Sequence, residues 1–392
     1  YKVSLLKYRQ RSALLLYRAN NVRNYHHGYM VPSSGYRKCF ALELVDGGFV
    51  LRFPRRHSPK ALQPLGRFPT LLKTFKEYGE WLNRLGIPSV GALNDAIQDG
   101  HIDEVILVSE ALHEMQISNI ADQIYENREK VGVILIAGPT SSGKTTFSKR
   151  LGIQLVARGI NHFALEMDNF FVDREKTPLL PDGTKDYESL RAMNLERMNH
   201  DVKALLAGQE VQLPRYDFFT GLSGDGKVAR LDKGDIVILE GIHGLNPSLL
   251  PEIDPANTFR IYISCLTQLN LDRHNRISTT DTRMIRRIVR DARDRGYSAS
   301  QTIARWESVR MGEKQHIFTY QEHADVMFNS ALAYEISTLK PLVEPLLRQV
   351  SFGTVEHIEA KRLLKFLEWF LPTTSEFVPD NSILREFIGD SI

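Results

Sequence analysis

The hydrophobic positions of this chain change their rhythm about a third of the way along its 392 residues. Residues 39–44 and 48–53 alternate apolar with polar between the turn clusters VPSSG and VDGG, which predicts short strands joined as hairpins. Over residues 71–85 and again 105–125, apolar residues recur every three to four positions, as amphipathic helices require. The pattern after Val131 is different. Residues 133–137 form an unbroken apolar run of strand length, the mark of a strand covered on both faces. Residues 163–167, 236–239 and 259–264 are further strands of this kind, separated by segments long enough for crossover helices. Such alternation implies a doubly wound α/β domain. The charged stretch 126–130, following Ile117, Ile120 and Ile124, marks a boundary. We therefore expect a smaller α+β domain over residues 1–125 and an α/β domain over 126–392. The tail, a helix over 362–371 and a docked segment over 382–389, is expected to carry no chemistry.

Composition narrows the class without deciding the function. Hydrophobic residues at 42%, charged residues at 25% and aromatics at 9% describe an ordinary globular chain. The net charge of +3 is too small to argue for a nucleic acid or membrane partner, so any basic site must be local. The chain has no run of about 18 apolar residues, and its first stretch is too broken for a signal peptide. We expect a soluble, cytoplasmic protein. Cys39 and Cys265 lie far apart without metal-ligand spacing, which suits a reducing compartment. His26 and His27 lack a third ligand and read as surface residues. The chain starts at Tyr1 rather than Met, so a piece of the natural N-terminus is expected ahead of it.

The chemistry begins directly after the first buried strand. Gly138, Pro139, Thr140, Ser141, Ser142, Gly143, Lys144 and Thr145 satisfy G-x-x-x-x-G-K-[ST], and residues 146–158 continue as a helix ended by Gly159. A loop between strand and helix places free backbone N–H groups at a helix start, where they can converge on phosphate oxygens. Lys144 is expected to reach the β and γ phosphates, and the Thr145 hydroxyl to join a Mg²⁺ shell. Thr146 completes the cradle. The run IVILE ends its strand in Glu240, an acid placed to hold the metal directly or through water. His243 follows in EGIHGLNP and reads as a structural histidine.

A nucleotide site needs an acceptor. Asp168, in EMDNFF, ends the second strand at the same sheet edge as the P-loop, where it can accept the proton of an attacking alcohol or hold metal. Phe170 and Phe171 are candidates for the pocket wall. Tyr216 and Phe218, in PRYDFF, suit stacking of a planar ring. Residues 281–295 read as a helix with Arg283, Arg286, Arg287 and Arg290 on one side and Met284, Ile285, Ile288 and Val289 on the other. With Arg295 and Gly296 at its end, this helix is expected to act as a mobile cationic lid, whose arginines neutralise charge on a transferring phosphoryl group.

Together these stretches resemble the uridine kinase and phosphoribulokinase group of P-loop kinases, closest to the bacterial uridine-kinase-like nucleoside kinases. The resemblance rests on GPTSSGKTTF, MDNFFVDRE, LPRYDF, VILEGIHGLNP, RRIVRDARDRG and YQEHADVMFNSAL, in the family's order over roughly 131–350. Earlier pieces, YMVPSSGY, LGIPSVGALN and EALHEMQISNIAD, look like the extension that long members carry. The resemblance implies a P-loop kinase fold and ATP- and Mg²⁺-dependent phosphorylation of a nucleoside 5′-hydroxyl, with uridine or cytidine as the default acceptor. It implies Asp168 as general base, Glu240 as metal-associated acid, and Arg287, Arg290 and Arg295 as phosphate-contacting arginines. Tyr216 and Phe218 match base-pocket aromatics. Glu188 stands about where the family places an aspartate for the ribose hydroxyls, with Asp186 as the alternative register. Three positions depart. Gly221 falls where pyrimidine-selective members tend to carry a histidine, Tyr297 where they carry an arginine, and Arg305 where a glutamine is common. Two other functions stay open: a nucleotide-gated regulatory or RNA-associated protein, and a kinase acting on another small alcohol such as a sugar phosphate. The sequence is also compatible with a homo-oligomer.

Overall fold

In the computed structural model, residues 2–9, 12–25, 30–36, 38–45, 48–54, 58–180 and 183–391 are described, so His26 and His27 lie outside the described residues. Helix α1 (Lys2–Leu6) precedes two antiparallel hairpins, β1 (Tyr17–Ala19) with β2 (Val22–Asn24) and β3 (Ala41–Val45) with β4 (Gly48–Arg52). Helices α2 (Pro69–Arg84), α3 (Val90–Gln98) and α4 (Ile102–Glu126) follow. The next elements are β5 (Val133–Ala137), α5 (Lys144–Ala157), β6 (His162–Glu166) and α6 (Leu195–Leu206). A hairpin of β7 (Val211–Asp217) and β8 (Leu222–Ala229) comes before β9 (Ile236–Glu240) and β10 (Thr258–Ser264). The chain closes with α7 (Thr279–Asp294), α8 (Ala299–His316), β11 (Val326–Asn329), α9 (Glu335–Arg348), α10 (Val355–Leu367) and α11 (Arg385–Ile388).

Five strands form one parallel sheet in the order β11-β10-β5-β9-β6. All five residues of β5 are buried, and the first four alternate between two cores, while Ala137 packs with Leu245, Tyr262 and Ile317. Ile134 and Ile136 face a cluster with Phe147, Leu151 and Leu155 of α5, Ile117 and Ile124 of α4, and Ile285 and Ile288 of α7. Val133 and Leu135 face the other side, with Met198, Val202 and Leu205 of α6 and Leu213 of β7. This is why the strand reads as continuously apolar: successive side chains alternate faces and both faces are covered. At roughly 1.5–3 kcal/mol for each large apolar side chain buried, the central strands anchor the loops at their ends. Because every strand points the same way, those loops gather at one edge, the ligand-binding edge of open α/β sheets.

The strands expected over 133–137, 163–167, 236–239 and 259–264 are present, shifted by at most one residue at an end. Two features escaped the pattern. Strand β11 spans only four residues, too few to show a period. The aromatic stretch around Tyr216 belongs to the β7–β8 hairpin, whose outer strand is mostly exposed and so carries little apolar signal. The arginine helix α7 also differs from expectation. Arg283 and Arg286 are 2% and 0% exposed, so the helix is buried on its cationic side as well as its apolar one. It is a packed wall of the cleft rather than a mobile lid. No described helix is long and apolar enough to cross a membrane.

Candidate active site

The P-loop is shaped by glycine at two places where a side chain does not fit. A Cβ on Gly138 would lie 2.0 Å from the Ile263 carbonyl oxygen of β10, so the loop leaves the sheet in backbone contact with its neighbour. Gly143, the residue before α5, has φ +85°, a left-handed conformation that favours glycine. Ser141 takes the same unusual region at φ +57°. The curl is held from behind by α7 and α8. Glu313 accepts a hydrogen bond from the Thr140 N–H at 3.0 Å, and Arg283 donates to the Thr140 carbonyl at 2.9 Å while pairing with Glu313. Arg286 donates to the Ser141 carbonyl at 3.4 Å and pairs with Glu335 at 2.6 Å. The two buried arginines therefore grip the loop's backbone, a role that a stripe of charges on a helical wheel does not reveal.

The inner surface of the loop is supplied with donors. The Ser141 and Ser142 hydroxyls are buried and make no protein hydrogen bond. The first N–H groups of α5 have no acceptor within the helix. Lys144 donates to the Pro139 carbonyl at 3.3 Å, folded back along the loop. The Thr145 hydroxyl donates to Glu240 at 2.9 Å, so strand β9 delivers its terminal acid to the start of α5. Burial raises the Glu240 carboxyl to about 7, against the opposing pull of Lys144. Only the register of the sheet places these residues side by side: Glu240 is level with Ile136 of β5 and Glu166 of β6.

Asp168 sits on the single 3-10 turn Met167–Phe170 that follows β6. Met167 and Phe170 are buried at 1% each and fix the turn in the core. Phe170 is thus committed to packing. Asp168 is open to solvent, with protein crowded around its carboxyl. Loss of bulk water there raises its carboxyl above the usual aspartate range, while Lys144, Arg295 and Arg290 oppose the shift. The acid, the P-loop lysine and two of the expected arginines thus share one cleft.

The aromatic residues converge as expected. Phe171 lies 5.5 Å from Tyr216 and 6.3 Å from Phe218, and Tyr216 lies 5.0 Å from Phe218, ring centre to ring centre. Phe218 is 60% exposed, so one ring of the trio faces solvent. Glu188 lies in the same cleft. Burial and the nearby Glu313 raise its carboxyl to about 7, and Arg287 opposes the rise. Asp186 turns to its own segment, accepting from the Glu188 N–H at 3.2 Å. His243 is packed at 1% exposure beside His316, with ring centres 5.7 Å apart.

The departures from the family pattern have physical counterparts. A Cβ on Gly221, at φ +78°, would meet the Arg174 guanidinium at 2.6 Å, so arginine occupies the space a larger residue would need. Arg174 also donates to the Phe218 carbonyl at 2.6 Å. Arg305 lies over the ring of Tyr297 at 4.8 Å, so these two departures form one cation–π pair.

Sequence reading missed three residues of the site. Asp291, 1% exposed, receives Arg287 at 3.1 Å, Arg290 at 3.4 Å and Arg295 at 3.2 Å. It gathers all three expected phosphate-contacting arginines on one carboxylate, and its place four residues after Arg287 was the available signal. Glu313 grips Thr140 from a helix with no motif of its own. Glu386, in the tail expected to be without chemistry, accepts hydrogen bonds from Thr146 at the start of α5.

The chain is similar to several known proteins. A uridine kinase from Halobacterium salinarum is 27% identical over 194 residues, 49% of this chain and 77% of that protein. A uridine kinase from Ligilactobacillus salivarius is 29% identical over 204 residues, 51% of this chain and 86% of that protein. Among solved structures, a "Possible Uridine Kinase" from Bacillus stearothermophilus aligns with 55% of this chain and 100% of its own, at 19% identity and a TM-score of 0.37. The model of the phosphoribulokinase / uridine kinase family matches residues 133–337, the stretch that holds the P-loop, Asp168, the aromatic trio, Glu240 and the arginines. The chain belongs to the phosphoribulokinase / uridine kinase family and is a phosphotransferase with an alcohol acceptor.

Proposed function

We propose that this kinase transfers the γ-phosphoryl group of ATP to the 5′-hydroxyl of a nucleoside, with uridine or cytidine as the default acceptor. The observation that carries the reading is that Asp168 feels the charge of the P-loop lysine and lies three residues before Phe171 of the Phe171–Tyr216–Phe218 trio. Asp168 orients the acceptor hydroxyl and takes its proton as the oxygen attacks phosphorus. The trio covers the base, and Glu188 accepts from the ribose hydroxyls. Residues 138–146 hold the triphosphate, Lys144 neutralises its terminal groups, and Arg287, Arg290 and Arg295 offset the charge that spreads over the transferring group. Thr145 and Glu240 fit Mg²⁺: a hydroxyl and one carboxylate are the hard oxygen donors this ion takes when phosphates and water complete its shell. Bound there, Mg²⁺ neutralises phosphate charge. On this reading residues 126–392 are the kinase unit and residues 1–125 an extension that buttresses it.

One observation favours a second acceptor class. Arg174 places a cation beside Tyr216 and Phe218, where a phosphorylated sugar alcohol would find a partner for its own phosphate. ADP release should therefore be measured with uridine, cytidine, purine nucleosides and sugar phosphates, each against ATP alone. Stimulation by a pyrimidine nucleoside supports the first reading, and stimulation by sugar phosphates alone replaces it with the second. Release of ADP that no acceptor stimulates would discard both.

A further inference from the structure

Helix α5 begins with a motif that takes phosphate, yet one of its first donors already holds an anion from the protein itself. The Glu386 carboxylate accepts from the Thr146 N–H and from the Thr146 hydroxyl, both at 3.3 Å. Its second oxygen lies 3.9 Å from the Arg290 guanidinium. Thr146 is the third residue of α5, so its N–H belongs to the first turn and has no acceptor inside the helix. A carboxylate and a phosphate oxygen ask for the same partners here: a helix-start N–H, a hydroxyl and a guanidinium. Arg290 keeps its Nε buried and without a partner, so Glu386 answers its hydrogen-bonding capacity only in part.

The segment that brings Glu386 to this place is firmly seated. Ile383, Leu384 and Phe387 are fully buried, and a Cβ on Gly143 would meet the Ile383 side chain at 2.3 Å. Arg293 donates to the Glu386 carbonyl at 3.1 Å. The backbone is fixed at the mouth of the P-loop, and the Glu386 side chain, 17% exposed, is the part with room to turn.

We infer that Glu386 is an affinity-setting residue of the nucleotide site: its carboxylate takes the place of a phosphate oxygen at Thr146 and Arg290, and a nucleotide binds only by displacing it. The inference rests on the reading that the P-loop binds a triphosphate. Since the competing anion is intramolecular, observed affinity equals intrinsic affinity reduced by the fraction of molecules in which Glu386 has let go. Removing its charge therefore strengthens nucleotide binding, the opposite of what loss of an ordinary binding or structural residue does.

The test is calorimetric titration of the full chain with MgATP, comparing wild type, Glu386→Gln, Glu386→Ala and Lys144→Ala, with melting temperatures to establish that each is folded. Both Glu386 variants are expected to bind MgATP more tightly, on the order of ten-fold, as loss of one charge-assisted competitor implies. Their melting temperatures should also rise more on adding MgATP than that of the wild type. Unchanged or weaker binding by both folded variants, with Lys144→Ala still binding poorly, overturns the role of Glu386 while leaving the P-loop reading intact. If Lys144→Ala binds MgATP as well as the wild type, the P-loop reading itself fails and takes this inference with it.

Discussion

Single residues decide whether the cleft does phosphoryl transfer or only binds. Asp168→Asn keeps the shape of the side chain and removes its basicity, so kcat is expected to fall ~10²–10⁴-fold with a small change in ATP binding. Steady-state kinetics beside nucleotide titration would check this, and full activity in the variant would remove Asp168 from the role of base. Because the surrounding protein desolvates the Asp168 carboxyl and raises it, the wild type should also lose kcat as pH falls through that raised value. Glu240 offers a test on stability. Its carboxyl is raised to about 7 in the fold and titrates near 4.5 in the unfolded chain, so between those values the native state holds more protons. Stability contributed by the protonated form is present below about 4.5 and is lost as pH rises through about 7. Glu240→Gln removes that loss and should raise Tm at pH 8 by about 2 °C, with no gain at pH 4.5, in scanning calorimetry at the two pH values. At this scale the shared sheet edge of Lys144, Asp168 and Glu240 was readable, because each follows or ends a buried strand in a local motif. It was silent on Asp291 and Glu386, because a carboxylate's partners are set by the packing of distant segments.

Among the elements, α7 shows how far periodicity reaches. Its apolar side was legible in Met284, Ile285, Ile288 and Val289, but the sequence could not say that Arg283 and Arg286 would be buried, since their carboxylate partners Glu313 and Glu335 come later in the chain. Truncating one partner of such a buried pair leaves the other charge unpaired. Arg286→Leu is therefore expected to cost about 3–5 kcal/mol, and the double change with Glu335→Leu to recover most of it, as urea unfolding midpoints would report. An equal loss in single and double variants would show that Arg286 acts through the Ser141 carbonyl instead. The P-loop strand makes a second demand. A methyl group at Gly138 has no room beneath the Ile263 carbonyl, so Gly138→Ala must push β5 and β10 apart at the site itself.

Across the molecule, the first third of the chain and the P-loop helix share one buried network. Glu110 of α4 accepts from Tyr334 and Ser382 at 2.6 Å each and pairs with Arg150 of α5 at 3.4 Å. Glu114 is closer to Arg150, at 2.8 Å, but 43% of its side chain is exposed. Distance would rank Glu114 higher; burial reverses the order. Glu110→Ala should cost about 3–5 kcal/mol, and Glu114→Ala under 1 kcal/mol, measured side by side in urea. The sheet and its crossover helices were legible because buried strands declare themselves in continuous apolar runs. How α4, α5, α9 and the tail share one core was not, because no local pattern encodes contacts across hundreds of residues. The proposed reaction requires that a triphosphate and an alcohol meet across Asp168. Its most direct test is a single turnover with γ-labelled ATP and a pyrimidine nucleoside, followed by locating the label. Label is expected on the nucleoside 5′-oxygen in the wild type, with the rate lowered ~10²–10⁴-fold in Asp168→Asn. Label appearing only as inorganic phosphate, at equal rates in both proteins, would contradict it.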